Sequence, residues 1–241
     1  MHMVNRIGLP TSLIHLIQEM GRCGRNKDNG AYVNRYCIIF TLNDYVYLIE
    51  RLFKIDDNES HSKTKNMISI DEERRIAINN LNNICRMMVC RIGCWHNQLE
   101  TISSNPLKYH NNTTYSPCGN MCPYCDGSQS KYIKSVSKDG VSEFLAQTLL
   151  LQSSEKYTPS TLAKKLIDYP QVGKRVYGRQ HSLKVEKNSD AYMTILQLLC
   201  NNIIEMEVKE DKKPTSSIKL SLTRHFPHYL YDEYWTYIDH F

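Results

Sequence analysis

The sequence predicts a mixed α/β chain in three successive parts: an α/β unit over residues 1–55, a helical unit around a cysteine cluster over 66–128, and an α+β unit over 138–241. Three observations predict it. Strand-like and helix-like apolar segments alternate before residue 55. Six of the nine cysteines fall between Cys85 and Cys125. After residue 138, three segments with helical apolar spacing precede two that alternate apolar and polar residues.

In the first part, Ser12 is placed to cap a helix that carries Gln18-Glu19-Met20-Gly21-Arg22-Cys23-Gly24-Arg25. Tyr32 to Phe40 reads as a buried strand, and Asn43 to Phe53 as a helix opened by the Thr41-x-x-Asp44 box. Residues 56–64 are polar and charged without periodicity, a linker. Ser69-Ile70-Asp71-Glu72 is a capping box, after which Ala77, Leu81, Ile84 and Met88 line one face of an amphipathic helix. A second helix, Cys94 to Ser103, pairs with it.

A Ser/Lys-rich stretch to Lys138 reads as another linker. Leu145, Leu149 and Gln152 are helically spaced within Val141 to Gln152. Thr158-Pro159 is a cap followed by proline at the first helical position, opening a short helix to Leu166. Ser189 caps a third helix with the stripe Ile195, Leu196, Leu199 and Ile203. Ile204–Val208 and Ser217–Leu222 alternate as strands joined by the charged segment 209–215. Three helices and a hairpin with a charged tip is the winged-helix order.

With 241 residues the chain has material for two or three small cores. No apolar run approaches the ~18 residues of a membrane span, so a soluble intracellular protein is expected. The sequons at Asn58, Asn111 and Asn112 are then chance matches. The net charge of +5 is unevenly spread, because residues 131–224 carry 16 Lys/Arg against 10 Asp/Glu. That excess suits contact with nucleic acid, and equally a solvated surface.

Two constellations carry chemistry. Arg22 and Arg25, three apart on one helical face and flanked by Gly21 and Gly24, suit a phosphate: guanidinium forks match its oxygens, and glycines let the backbone come close. Cys118-Gly-Asn-Met-Cys122-Pro-Tyr-Cys125 is a tight knuckle whose thiolates can converge on a tetrahedral zinc. The fourth ligand is expected from Cys94, with Cys90 and then Cys85 as alternatives. His96, two residues from Cys94, is expected to face elsewhere on the helix, toward the surface or DNA. Cys23, Cys37 and Cys200 read as free buried thiols.

The segment Ile7-Gly8-Leu9-Pro10-Thr11-Ser12-Leu13, followed by Gln18 to Arg25, resembles the last conserved motif of RecQ-type DNA helicases, QExGRxGR after a Gly-x-Pro-x-Ser strand end. Cys94-Trp95-His96-Asn97-Gln98-Leu99 resembles the helix that supplies the family's first zinc ligand. The x23 spacing to Cys118 is longer than the family's, and Asn26-Lys27 stands where it often has Asp. The resemblance implies the end of a second RecA-like lobe, a zinc-binding subdomain, and a winged-helix domain with an aromatic tail.

It further implies an ATP-dependent 3′-to-5′ DNA helicase of DNA repair and recombination, nuclear if eukaryotic. Gln18, Arg22 and Arg25 become catalytic candidates, the arginines reaching ATP and Mg²⁺ held by another lobe as arginine fingers. The 241 residues hold no GxxxxGK[ST] loop and no DExH site. The chain is therefore expected to be a truncated or partial copy, inactive toward ATP alone and dependent on a missing N-terminal lobe. Lys174, Arg175, Tyr177 and Arg179 of the basic loop, with Lys212 and Lys213 at the hairpin tip, are the expected contacts to duplex, forked or single-stranded junction DNA. The remaining alternatives are a free-standing zinc and winged-helix DNA-binding module, or a zinc-stabilised protein-interaction domain.

Overall fold

β1 (Met3–Ile7) and β2 (Arg35–Ile39) pair in parallel, in register from Met3 opposite Arg35 to Ile7 opposite Ile39. Parallel neighbours need a crossover, and α1 (Leu13–Met20) lies within it. These elements belong to a computed structural model that describes residues 3–22, 35–54, 70–90, 93–104, 118, 122–127, 138–150, 157–169, 175–176, 179–180, 185, 187–209 and 217–223. The expected linkers at 56–64 and 128–137 and the aromatic tail from Tyr229 lie outside the described residues.

Ser12 caps α1 as expected, its hydroxyl accepting from the His15 backbone N–H at 3.2 Å. Glu19 ties the unit together. Its carboxylate pairs with Arg6 of β1 and accepts from the Tyr36 hydroxyl of β2 at 2.6 Å. Burial pushes the Glu19 carboxyl up, but the bonds from Tyr36 and Arg6 outweigh it and hold the group below its ordinary value. Arg6 also donates to the carbonyls of Gly8 and Leu9, fixing the turn that leads into α1.

α2 (Leu42–Lys54) begins as the Thr41-x-x-Asp44 box predicts: the Asp44 carboxylate accepts from the Thr41 backbone N–H at 2.6 Å and from its hydroxyl at 2.8 Å. α3 (Ile70–Val89) contains the predicted stripe, but its last three turns are enclosed on nearly every side. Leu81, Asn82, Ile84 and Cys85 through Cys90 are all buried, because α1, α2, α4 (Trp95–Ser104) and α7 (Asn188–Cys200) pack around them. An amphipathic stripe accounts for one neighbour; two buried polar residues, Asn82 and Arg86, mark the others.

α5 (Lys138–Leu145) runs on into one π-helical turn, Ala146–Leu150. α6 (Pro159–Asp168) has the predicted start, with Thr158 and Thr161 in a reciprocal capping box and Pro159 at its head. α7 differs from the expectation at its N-terminus. Its cap is Lys187, and Ser189 lies inside the first turn with its hydroxyl toward Asp190.

β5 (Ile204–Lys209) and β6 (Ser217–Leu222) form the predicted antiparallel hairpin. Between α5 and α6, Tyr157 makes an antiparallel bridge to Leu220, accepting the Leu220 N–H at 2.7 Å. Residues 175–180 contain a second small hairpin, β3 (Arg175–Val176) with β4 (Arg179–Gln180).

The parts share one apolar cluster that runs from Leu16 and Tyr45 through Ile84 and Met87 to Leu162, Ile195 and Leu220. A buried polar chain crosses it. The Tyr45 hydroxyl donates to Asn82 Oδ1 at 2.7 Å, and Asn82 Nδ2 donates to Asn202 Oδ1 at 2.9 Å. Asn202, at φ 56°, takes the left-handed conformation that asparagine tolerates, turning the chain from α7 into β5. α7 is central: Ala191 and every residue from Thr194 to Cys200 are buried.

Candidate metal centre

Cys94 sits just before α4, where its carbonyl accepts the Gln98 N–H at 3.0 Å. Gly93, at φ 127°, supplies the left-handed turn into that position. The knuckle comes up opposite. Asp126 N–H donates to the Cys122 carbonyl at 3.0 Å and Gly127 N–H to the Tyr124 carbonyl at 3.2 Å, curling 122–127 into a tight turn.

Cys94, His96, Cys118 and Cys122 each contribute a ligand atom to one cluster, and these four atoms all lie within 4.8 Å of one another. The Cys94 and Cys122 sulfurs are 3.9 Å apart. A disulfide requires ~2.05 Å, whereas thiolates on a tetrahedral ion with bonds near ~2.3 Å stand about 3.8 Å apart. The Trp95 backbone N–H donates to Cys122 Sγ at 3.4 Å, tying the knuckle to the start of α4. The donor set and spacing fit a four-coordinate metal ion.

Electrostatics agree. Burial pushes the Cys94 thiol up, but the backbone N–H groups of Asn97 and His96 at the start of α4, with the Cys118 and Cys125 thiols, bring it down to about 6. Cys125 is pushed up to about 12, first by burial and then by Cys122, Cys118 and Cys94 beside it. Converging thiolates repel, so they cannot all ionise without a cation between them.

Cys125, expected as a ligand, lies beside the other three cysteines, yet the tightest set includes His96 in its place. The centre offers five donors, one more than a tetrahedral ion takes. The expectation that His96 faces away treated Cys94 as helical, and i, i+2 residues on a helix do diverge. Cys94 instead occupies the capping position, outside that geometry. The signal was present in the sequence: Gly93 directly before Cys94 makes a helix start there natural.

Cys90 and Cys85, the alternative ligands, point to a different place. Both are buried where α3 meets α7, with Asn201 Nδ2 donating to Cys90 Sγ at 3.4 Å. Cys200 is buried beside them, whereas Cys37, expected to be buried, is exposed.

Of the arginine pair, Arg22 is exposed and lies beyond the end of α1, its N–H bonded to the Glu19 carbonyl at 3.1 Å. The helix stops at Met20 with Gly21 as its cap. Arg22 therefore lies beyond the helix expected to carry it, and Arg25 lies outside the described residues. Gln18 is exposed on α1.

Among the DNA-contact candidates, Arg175 and Arg179 fall on the small hairpin β3–β4, with Arg179 opposite Val176. Lys174, Tyr177, Lys212 and Lys213 lie outside the described residues. Among the described residues no helix is long and apolar enough to cross a membrane. Searched against protein-family models and curated proteins, the sequence matches none.

Proposed function

We propose that this chain is the C-terminal part of a RecQ-like ATP-dependent 3′-to-5′ DNA helicase: the end of a RecA-like lobe, a structural zinc site and a winged-helix domain acting on DNA in the nucleus. The observation that carries the reading is the order α5, Tyr157 bridge, α6, α7, β5, β6 directly after a cysteine cluster. A winged helix needs a short strand between its first two helices to pair with the last strand of the hairpin. The Tyr157–Leu220 bridge supports that reading, and no strand pattern around Tyr157 announced it.

The α/β unit supports the same reading, with a parallel pair β1–β2 and a helix between them that leads to Arg22. In this account Cys94, Cys118 and Cys122, with Cys125 or His96, hold zinc, which supplies a cross-link between α4 and the knuckle. Arg22 and Arg25 act on ATP and Mg²⁺ bound to another lobe. Arg175, Arg179 and the basic residues flanking them, with Lys212 and Lys213, contact DNA phosphates.

The same cysteine cluster and element order suit a second reading, a zinc and winged-helix DNA-binding module working without a motor. Both readings require DNA binding. Fluorescence anisotropy with forked DNA should give an affinity that falls steeply as salt rises. Lys212→Glu with Lys213→Glu should weaken it on all sequences alike. No binding at low salt would remove both readings and leave the protein-interaction alternative.

A further inference from the structure

We propose that Cys90 and Cys200 form a peroxide-responsive thiol pair that closes into a disulfide between α3 and α7. Cys90 follows the last turn of α3, its N–H bonded to the Arg86 carbonyl at 2.8 Å. Cys200 ends α7. The two helix ends are clamped together there, because Gln197 Nε2 donates to the Val89 carbonyl at 2.8 Å and Asn201 Nδ2 to Cys90 Sγ at 3.4 Å. The Cys200 thiol bonds Cys90 and also reaches the Gln197 carbonyl at 3.4 Å.

The two sulfurs are not equivalent. Bonds from Cys200 and Asn201, helped by the buried Arg86 guanidinium, outweigh burial and hold the Cys90 thiol below its ordinary value. Cys200 is pushed well up, by burial first and then by Cys90. Held together at the two clamped helix ends, Cys90 takes the attacking role and Cys200 the resolving one. Cys85, also buried nearby, is pushed up by burial and by Cys90, so it stays a thiol and takes no part.

The chemistry balances with hydrogen peroxide as oxidant. The Cys90 thiolate attacks one peroxide oxygen and breaks the O–O bond, giving Cys90 sulfenic acid and hydroxide, which takes a proton to become water. The Cys200 sulfur then attacks the Cys90 sulfur. The S–O bond breaks, the S–S bond forms, and the departing hydroxide takes the Cys200 proton to leave a second water. Two thiols lose two electrons and two hydrogens in all. Cys90 is only 3% exposed, so the pair selects a small oxidant over a bulky disulfide.

The test uses the zinc-saturated 241-residue chain. It is exposed to hydrogen peroxide, quenched, denatured, alkylated and digested, and its peptides are weighed. The expected product is a pair of peptides joined through Cys90 and Cys200, two hydrogens lighter than their sum, while glutathione disulfide under the same conditions leaves both alkylated. Recovery of Cys90 as an alkylated thiol after peroxide, or its linkage to any other cysteine, would overturn the proposal. Because the measurement is made on the wild-type protein, a variant's failure to fold cannot blur it.

Discussion

Replacing Cys122 with serine removes the buried sulfur that accepts the Trp95 N–H and stands 3.9 Å from Cys94. A metal held at both ends closes a loop of about 30 residues, and such a cross-link lowers unfolded-chain entropy by roughly 12 cal/mol/K, about 3.6 kcal/mol at 25 °C. Domain stabilities are only about 5–15 kcal/mol, so the loss is large. At roughly 2–4 °C per kcal/mol for a chain of this size, Cys122→Ser should melt about 7–14 °C below wild type. A strong chelator should bring wild type down to the same temperature and leave the variant unmoved. His96→Ala and Cys125→Ser then separate the fifth donor from the fourth: the one in the shell lowers the melting temperature, and the other does not. A wild type that is indifferent to chelation, and matched by Cys122→Ser, would refute the reasoning.

Three further outcomes follow from named groups. In chelated protein the Cys94 thiol, ordinarily near 9.0 and here about 6, should react with iodoacetamide with a midpoint near pH 6; a midpoint near 9 contradicts the arrangement of donors around it. Because the folded value is the lower one, the Cys94 thiolate stabilises the metal-free fold fully above pH ~9, and the contribution is lost as pH falls through about 6. Asn82→Leu leaves the Tyr45 hydroxyl and the part-buried Asn202 amide without their shared partner, and urea unfolding should show a loss of about 1–3 kcal/mol, the cost of stranding the buried Tyr45 hydroxyl. Thr158→Ala removes the cap of α6 and should cost about 1 kcal/mol in the same assay.

Local chemistry made much of the fold legible. Ser12, the Thr41–Asp44 box and Thr158-Pro159 start helices where the sequence places them, because a cap satisfies backbone donors within a few residues and needs no tertiary partner. The β5–β6 hairpin was legible for a similar reason: its alternation has one buried face. What escaped depends on distant partners. The stripe on α3 identifies one packed face, but it takes α2, whose Tyr45 meets Asn82, and α7, about a hundred residues later, to enclose Asn82 and Arg86 as well.

The same holds for the cysteines. Their clustering announces a metal, and Cys94, Cys118 and Cys122 do meet. Spacing alone could not send Cys90 to α7, since Cys90 stands only four residues farther from the knuckle in sequence than Cys94. The helix that carries Gln18 ends sooner than the sequence suggests, stopping at Met20 with Gly21 as its cap, so Arg22 lies beyond it.

The proposal of a motor fragment is tested most directly by ATP turnover in a chimera that joins this chain to a RecQ-type first lobe and the start of the second. The account predicts DNA-stimulated hydrolysis, cut by about 10³-fold or more in Arg22→Ala or Arg25→Ala while nucleotide affinity changes far less, since a finger acts chiefly in the transition state. The isolated chain should show none. An active chimera indifferent to both substitutions would contradict the assignment of the arginines, and robust hydrolysis by the isolated chain would contradict the account as a whole.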